Sequence, residues 1–332
     1  MHEIALQNNK SVAYKEIIHT YLSKEEIKSF HKKSDLKAIG EILSVWLWIF
    51  AAFALVYFYP NIFTVFVALW IIGGKQLGCA IIMHDTSHYS LFKTKKLNDI
   101  VGNWLGAYPM IQNVRQYRPY HLQHHIATGT PDDPDKNLTT GYPTSRKSMT
   151  RKFFRDLSGL TGLKGFFGVL LMHLGFLEYN LGNTVIKIKP KNAAEVLRNA
   201  LKNLSGPIIF HILFFSIFLL LHKPMLYLLW WGAFFTTYNF CLRVRSIAEH
   251  SVVPDSNNPY TSSRTTYANL FEKILFAPLH VNYHTEHHLL IAAPCYHNPA
   301  IHKLLKERGY FEKGLLENNY RNIIKLAIRP KH

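Results

Sequence analysis

Apolar runs long enough to cross a bilayer, paired by turns too short to allow anything but a hairpin, constrain this chain more than any other feature. Residues 41–59 (EILSVWLWIFAAFALVYFY) and 62–83 (IFTVFVALWIIGGKQLGCAIIM) are separated only by Pro60 and Asn61. Residues 205–221 (SGPIIFHILFFSIFLLL) and 225–242 (MLYLLWWGAFFTTYNFCL) are separated only by His222, Lys223 and Pro224. A span needs roughly 20 mostly apolar residues, and backbone in hydrocarbon must satisfy its own hydrogen bonds, so helices are expected. The second run is weakened by Gly73, Gly74, Lys75 and Gln76. Two antiparallel hairpins put residues 1–40, 84–204 and 243–332 on one side of the membrane.

Those polar stretches carry nearly all of the 38 Lys and Arg, which set against 21 Asp and Glu give a formal charge of +17. The connecting turns carry almost none, so the positive-inside rule places the polar mass in the cytoplasm. Nucleic acid is a poor match for this charge, because the basic residues form no single stripe and no zinc-finger, helix-turn-helix or RNP pattern is present. Three cysteines (Cys79, Cys241, Cys295) exclude a disulfide scaffold and a CxxC zinc module. Residues 1–40 hold no short apolar core of the signal-peptide kind. Within the polar mass, 100–111 is too short to span and reads as interfacial, 131–146 as loop, 159–180 as an interfacial or protein-packed helix, and 185–203 as a basic helix. Three units are expected: a polar segment 1–40, a membrane domain 41–295 and a basic tail 296–332.

Nineteen histidines are distributed unevenly. His84 and His88 (HDTSH) leave the end of the second span and fall on one face if the helix continues. His121, His124 and His125 form an HxxHH box, and His284, His287 and His288 form another. His250 ends the fourth span, and His280 stands one helical turn before His284, a further candidate. His2, His19, His31, His173, His211, His222, His297, His302 and His332 have no such spacing and read as ordinary surface or packed residues. Neutral imidazole suits iron, zinc, copper and nickel. Nine or ten candidates exceed what a zinc site uses and suit two six-coordinate ions with positions left for oxygen. The missing Cys ligands exclude iron–sulfur, and the Glu and ExxH pairs of soluble carboxylate di-iron bundles are absent.

The series HDxxH, HxxHH, HxxHH with a fourth-span histidine, over roughly 41–295, resembles the membrane fatty acid desaturase superfamily. The stretches MHDTSHYSLF, RPYHLQHHIATGTPDDPD, RSIAEH and HVNYHTEHHL are most similar to its bacterial members. The resemblance implies an all-α protein of four membrane helices in two hairpins, with a cytoplasmic helical cap holding a di-iron centre. It implies His84, His88, His121, His124, His125, His250, His284, His287 and His288 as iron ligands, with His280 as an additional one. It implies an O2-dependent desaturase that inserts a C=C bond into a lipid- or carrier-linked acyl chain held in an apolar tunnel. A hydroxylase or ketolase of a lipid, carotenoid or unusual small substrate would use the same boxes. A histidine-rich metal transporter would instead need ionisable residues along a path inside the spans.

The last box starts with His284, where front-end desaturases have Gln, and no haem-binding HPGG motif is fused, so neither haem nor flavin is expected within the chain. Electrons then come from outside, and a small acidic ferredoxin matches the positive charge. The expected setting is a bacterial inner membrane with termini and boxes cytoplasmic. Asp85, Glu249 and Glu286, inside the boxes, are candidates to orient ligand imidazoles. Asp132, Asp133 and Asp135 read as a turn with Asx bonds. Arg118 and Arg245 read as binding lipid phosphate, and Tyr57, Tyr59, Trp104, Tyr108, Trp230 and Trp231 as an interfacial aromatic belt.

Overall fold

A computed structural model describes residues 13–182 and 184–329. His2 and His332, and the outermost parts of both terminal segments, lie outside the described residues. The chain is mostly helical. Its main helices are α1 (Asp35–Phe58), α2 (Ile62–Ser87), α3 (Lys95–Val101), α4 (Val114–Ala127), α5 (Arg146–Leu157), α6 (Leu160–Leu174), α7 (Ala193–Leu220), α8 (Tyr227–Phe235), α9 (Thr237–His250), α10 (His284–Leu289) and α11 (Asn298–Glu307). The strands β1 (Arg264–Thr266) and β2 (Leu315–Glu317) pair in parallel and tie the C-terminal residues back to the body.

Among the described residues, three helices, α1, α2 and α7, are long and apolar enough to cross a membrane. The turn at Asn61 is capped by its own side chain, which accepts from the N–H groups of Phe63 and Thr64, so the first hairpin closes as its sequence predicts. The expected fourth span, 225–242, is instead divided at Thr236 (φ −114°, ψ −89°) into α8 and α9. The Thr236 hydroxyl donates to the Gly232 carbonyl there, the kind of local bond that competes with the helical ladder. The basic helix expected over 185–203 begins only at Ala193, where Asn192 caps it, and runs on without interruption as α7. Helices α5 and α6 meet at Gly159 and together form a pair bent by 63°.

Helix α2 is the axis of the molecule. From Ile72 to Ser87 every residue except Ala80 is buried. The polar and glycine residues expected to weaken it are the reason it can be buried. An added Cβ at Gly73 would stand 2.7 Å from the Tyr238 backbone nitrogen, and one at Gly74 would stand 2.8 Å from Leu275 Cα. Gln76 is fully buried and donates to the Trp230 carbonyl at 2.9 Å. Trp230 is accordingly no belt residue: it is wholly buried and stacks on Trp46, with ring centroids 6.3 Å apart. Gly74→Val forces a branched side chain onto backbone that cannot move. It should cost about 1–3 kcal/mol, read as a lowered Tm in detergent.

The N-terminal helix over 13–21 does not trail free. Tyr14, Ile17, Ile18 and Leu22 pack with Leu289, Leu290, Ile301 and Leu305 in one apolar cluster.

Candidate metal centre

Four separate elements bring nine imidazoles together. His84 lies in the last turn of α2 and His88 is its C-cap. His121, His124 and His125 are on α4, His250 ends α9, and His284, His287 and His288 are on α10. Their ring nitrogens form two groups, each with ligand atoms within 4.8 Å of one another: His84, His88, His121, His125 and His287 in one, and His124, His250, His284 and His288 in the other. Each HxxHH box is divided between the groups. The i, i+4 pair His121 and His125 faces the first while His124 faces the second; His284 and His288 face the second while His287 faces the first.

The nearest nitrogens crowd closely. Nε2 of His125 is 3.0 Å from that of His121 and 3.1 Å from that of His287. Nε2 of His284 is 2.8 Å from that of His250 and 3.1 Å from that of His288. Metal–imidazole bonds of ~2.1 Å at right angles put cis nitrogens ~3.0 Å apart, so these spacings fit ligand pairs on a common ion. Nε2 of His84 and both ring nitrogens of His88 are buried without a hydrogen-bond partner, which an isolated imidazole cluster would not tolerate. Burial, and then the neighbouring rings, push His88, His121, His125, His287 and His288 well below the usual histidine range, keeping them neutral as ligation requires. The donor set therefore fits two metal ions.

Several groups fix the tautomers. Nδ1 of His84 is 2.7 Å from Asp85 Oδ1, and Nδ1 of His250 is 2.8 Å from the Ser262 carbonyl. Nδ1 of His124 is 2.8 Å from Asp133 Oδ1. The Asp133 turn is present as read, with Gly129 and Asp135 N–H groups donating to its carboxylate. Its orientation of His124 is the part that the turn pattern concealed. Burial disfavours charge on His124, but the carboxylates around it, Asp133 first and then Asp135 and Glu249, together outweigh it and raise that ring above its ordinary range. Glu249 stands 3.4 Å from His284 Nδ1. Glu286, expected to face a box imidazole, points the other way: it accepts from Thr265 Oγ1 at 2.5 Å and pairs with His302 Nδ1 at 2.6 Å. His302, read as ordinary, thus anchors α10 from outside. His280 belongs to neither group and lies 3.4 Å from Glu41.

Neither arginine is free for lipid phosphate in the way expected. Arg245 donates to Glu249 at 2.5 Å. Arg118 donates to Asp99 at 2.5 Å and to the Ser87 carbonyl at 2.8 Å, and lies 3.9 Å over the Tyr89 ring, so it closes the end of α2 beside His88. Arg264, not singled out by the sequence pattern, is buried and donates to the carbonyls of Ala248, Ser251 and Val252, closing the end of α9 beside His250. A carbonyl-capping arginine has no local signature, and only its proximity in space reveals it.

A helical frame with membrane-length spans, and two all-imidazole groups gathered beside the end of α2, is the arrangement of a membrane protein with two candidate metal sites. The profile of the fatty acid desaturase family matches residues 60–317, and the chain belongs to that family of oxidoreductases. It is 26% identical over 253 residues to the dihydrorhizobitoxine desaturase of Bradyrhizobium elkanii, covering 73% of this chain and 66% of that protein. It is 24% identical over 250 residues to the sn-1 oleoyl-lipid 12-desaturase of Synechocystis sp. (strain ATCC 27184 / PCC 6803 / Kazusa), covering 72% and 67%. The chain thus spans about two thirds of the length of each relative.

Proposed function

We propose that this protein is an O2-dependent desaturase that inserts a C=C bond into an acyl chain. The division of nine histidines, seven of them buried, into two groups carries this reading. His84, His88, His121, His125 and His287 would hold one iron, and His124, His250, His284 and His288 the other. Bound iron supplies the redox chemistry that lets O2 act on an unactivated C–H bond. In balance, a CH2–CH2 unit gives up two hydrogens, and O2 takes these with two electrons and two protons from outside to form two waters. Asp85, Asp133 and the Ser262 carbonyl hold the Nδ1 protons of His84, His124 and His250, so that each Nε2 lone pair faces inward. The electrons come from a separate donor, and a ferredoxin-like acidic protein suits a chain of charge +17.

Protein loaded with iron should convert its substrate to a product lighter by two hydrogens, read by mass spectrometry. A product heavier by one oxygen would make it a hydroxylase. The polar mass and the boxes lie on the cytoplasmic side of a bacterial inner membrane, with α8 and α9 together forming a fourth, broken crossing. A tag at Pro60 should then react with an impermeant reagent from outside intact cells, and a tag at His332 should not; labelling of both would overturn this orientation.

A further inference from the structure

We propose that Tyr14, on the N-terminal helix, is a positioning residue for the second histidine group, so that the ion held by His124, His250, His284 and His288 is fully retained only while that helix is docked. This rests on the reading of the two groups as metal sites, and adds to them a part of the chain that carries no ligand. Residue 14 precedes the stretch matched to the family, 60–317.

The four rings of this group are supported unequally. The Asp133 carboxylate holds the Nδ1 proton of His124, and Glu249 stands 3.4 Å from Nδ1 of His284. His250 and His288 have no such carboxylate. Nδ1 of His250 faces the backbone carbonyl of Ser262 at 2.8 Å, and Nδ1 of His288 is buried with no hydrogen-bond partner among the described residues. A ring without a polar partner on its outer nitrogen is oriented by what packs around it. A ring held by a carbonyl is only as well placed as the loop that carries the carbonyl.

Tyr14 reaches both of these rings' supports. Its hydroxyl shares a 2.7 Å hydrogen bond with Ser262 Oγ. Ser262 lies in the irregular stretch 251–263 between α9 and β1, and its N–H bonds back to the Asn258 carbonyl at 2.9 Å, inside the same loop. The Tyr14 hydroxyl therefore ties that loop to an element outside it. Tyr14 and Ser262 are both buried, which shields their bond from water. The Tyr14 ring lies beside that of His288, with centroids 6.4 Å apart. Among the described residues, no hydrogen bond or ring contact joins Tyr14 to the first group.

The helix that carries Tyr14 is itself anchored to the second group. Ile17, Ile18 and Leu22 share an apolar cluster with Leu289 and Leu290, which directly follow His288. A few residues on, Glu26 accepts from both Nη1 and Nη2 of Arg308, at 2.7 and 2.6 Å. That ion pair is partly exposed and adds little, so the apolar cluster carries the docking.

The test is ion release from the full chain in detergent, loaded with Fe(II) under argon and mixed with ferrozine, whose iron complex is read by its colour. Tyr14→Phe keeps the ring and removes the hydroxyl, and Tyr14→Ala removes both. Losing a direct outer partner of a ligand weakens metal binding about 10- to 100-fold, and Tyr14 stands one contact further out, so one ion should leave roughly threefold faster in Tyr14→Phe and roughly tenfold faster in Tyr14→Ala. The other ion should leave at its original rate. His287→Ala removes a ligand of the first group and His124→Ala one of the second, which assigns the ion. Added to His287→Ala, Tyr14→Phe should speed release; added to His124→Ala, it should not. Phe218→Ala, in the apolar cluster of α1 and α7, is the control for lost stability and should favour neither ion. Faster release of both ions in Tyr14→Phe would reduce the residue to a general prop of the fold and overturn the proposal. Unchanged release in Tyr14→Ala, an effect confined to the first group, or the same selective loss in Phe218→Ala would overturn it too. Unaltered protein that never takes up two ions would remove the two-site reading itself, and the proposal with it.

Discussion

Replacing His287 with alanine will abolish product formation, by on the order of 10³-fold or more, while the protein stays folded in the membrane. His287 is one of five imidazoles in its group and comes from a different helix than the other four. Its Nε2 lies 3.1 Å from that of His125, so its loss opens the shell on the side where α10 meets α4. The substitution leaves no unpaired charge, because the ring is held neutral by burial and by its neighbours. Metal content separates the two groups. His287→Ala should lose the ion of the five-membered group and retain the other, and His124→Ala should do the reverse. Since the second group starts with four ligands, His124→Ala leaves it with three and should release its ion more completely. Elemental analysis of each purified variant checks this, with circular dichroism to confirm helix content. An active His124→Ala enzyme with unchanged iron would refute the ligand assignment.

Asp133→Asn will lower activity about 10- to 100-fold, the usual cost of removing a carboxylate that orients a metal-bound imidazole. Asp133 is buried and meets His124 at 2.8 Å, and its position is set by N–H donors from Gly129 and Asp135. An amide keeps the size of the side chain but not the charge that holds the Nδ1 proton. Asp132, its exposed neighbour, is the control: Asp132→Asn should change stability by no more than ~0.5 kcal/mol and leave activity intact. Rate and iron retention measured side by side for the two variants check the prediction. Equal behaviour of both would mean that Asp133 serves only the turn.

Much of this site is legible in one dimension because its spacing is local. Two imidazoles four residues apart share a helix face wherever that helix lies, so the boxes announce themselves. The first hairpin is legible for the same reason, since a two-residue turn between apolar runs leaves one geometry. The break at Thr236 is not, because an apolar run of membrane length has the same composition whether its helix is whole or divided. The charged residues mislead in a consistent way. Arg118 and Arg245, which flank the boxes, could face lipid headgroups or fold inward, and their composition is the same in both cases. Burial decides, and burial is a property of the packed helices around them.

The sequence alone therefore determined the helical class, three of the four expected membrane-length helices and the set of box histidines, because helical periodicity and hydropathy act over a few residues. The tertiary structure decided how the boxes divide between two groups. It turned Glu286 toward His302 and Asp133 toward His124, and it left His280 outside both groups, beside Glu41. Those choices depend on which side chains meet across α2, α4, α9 and α10, and a contact between separate helices is written in no local pattern.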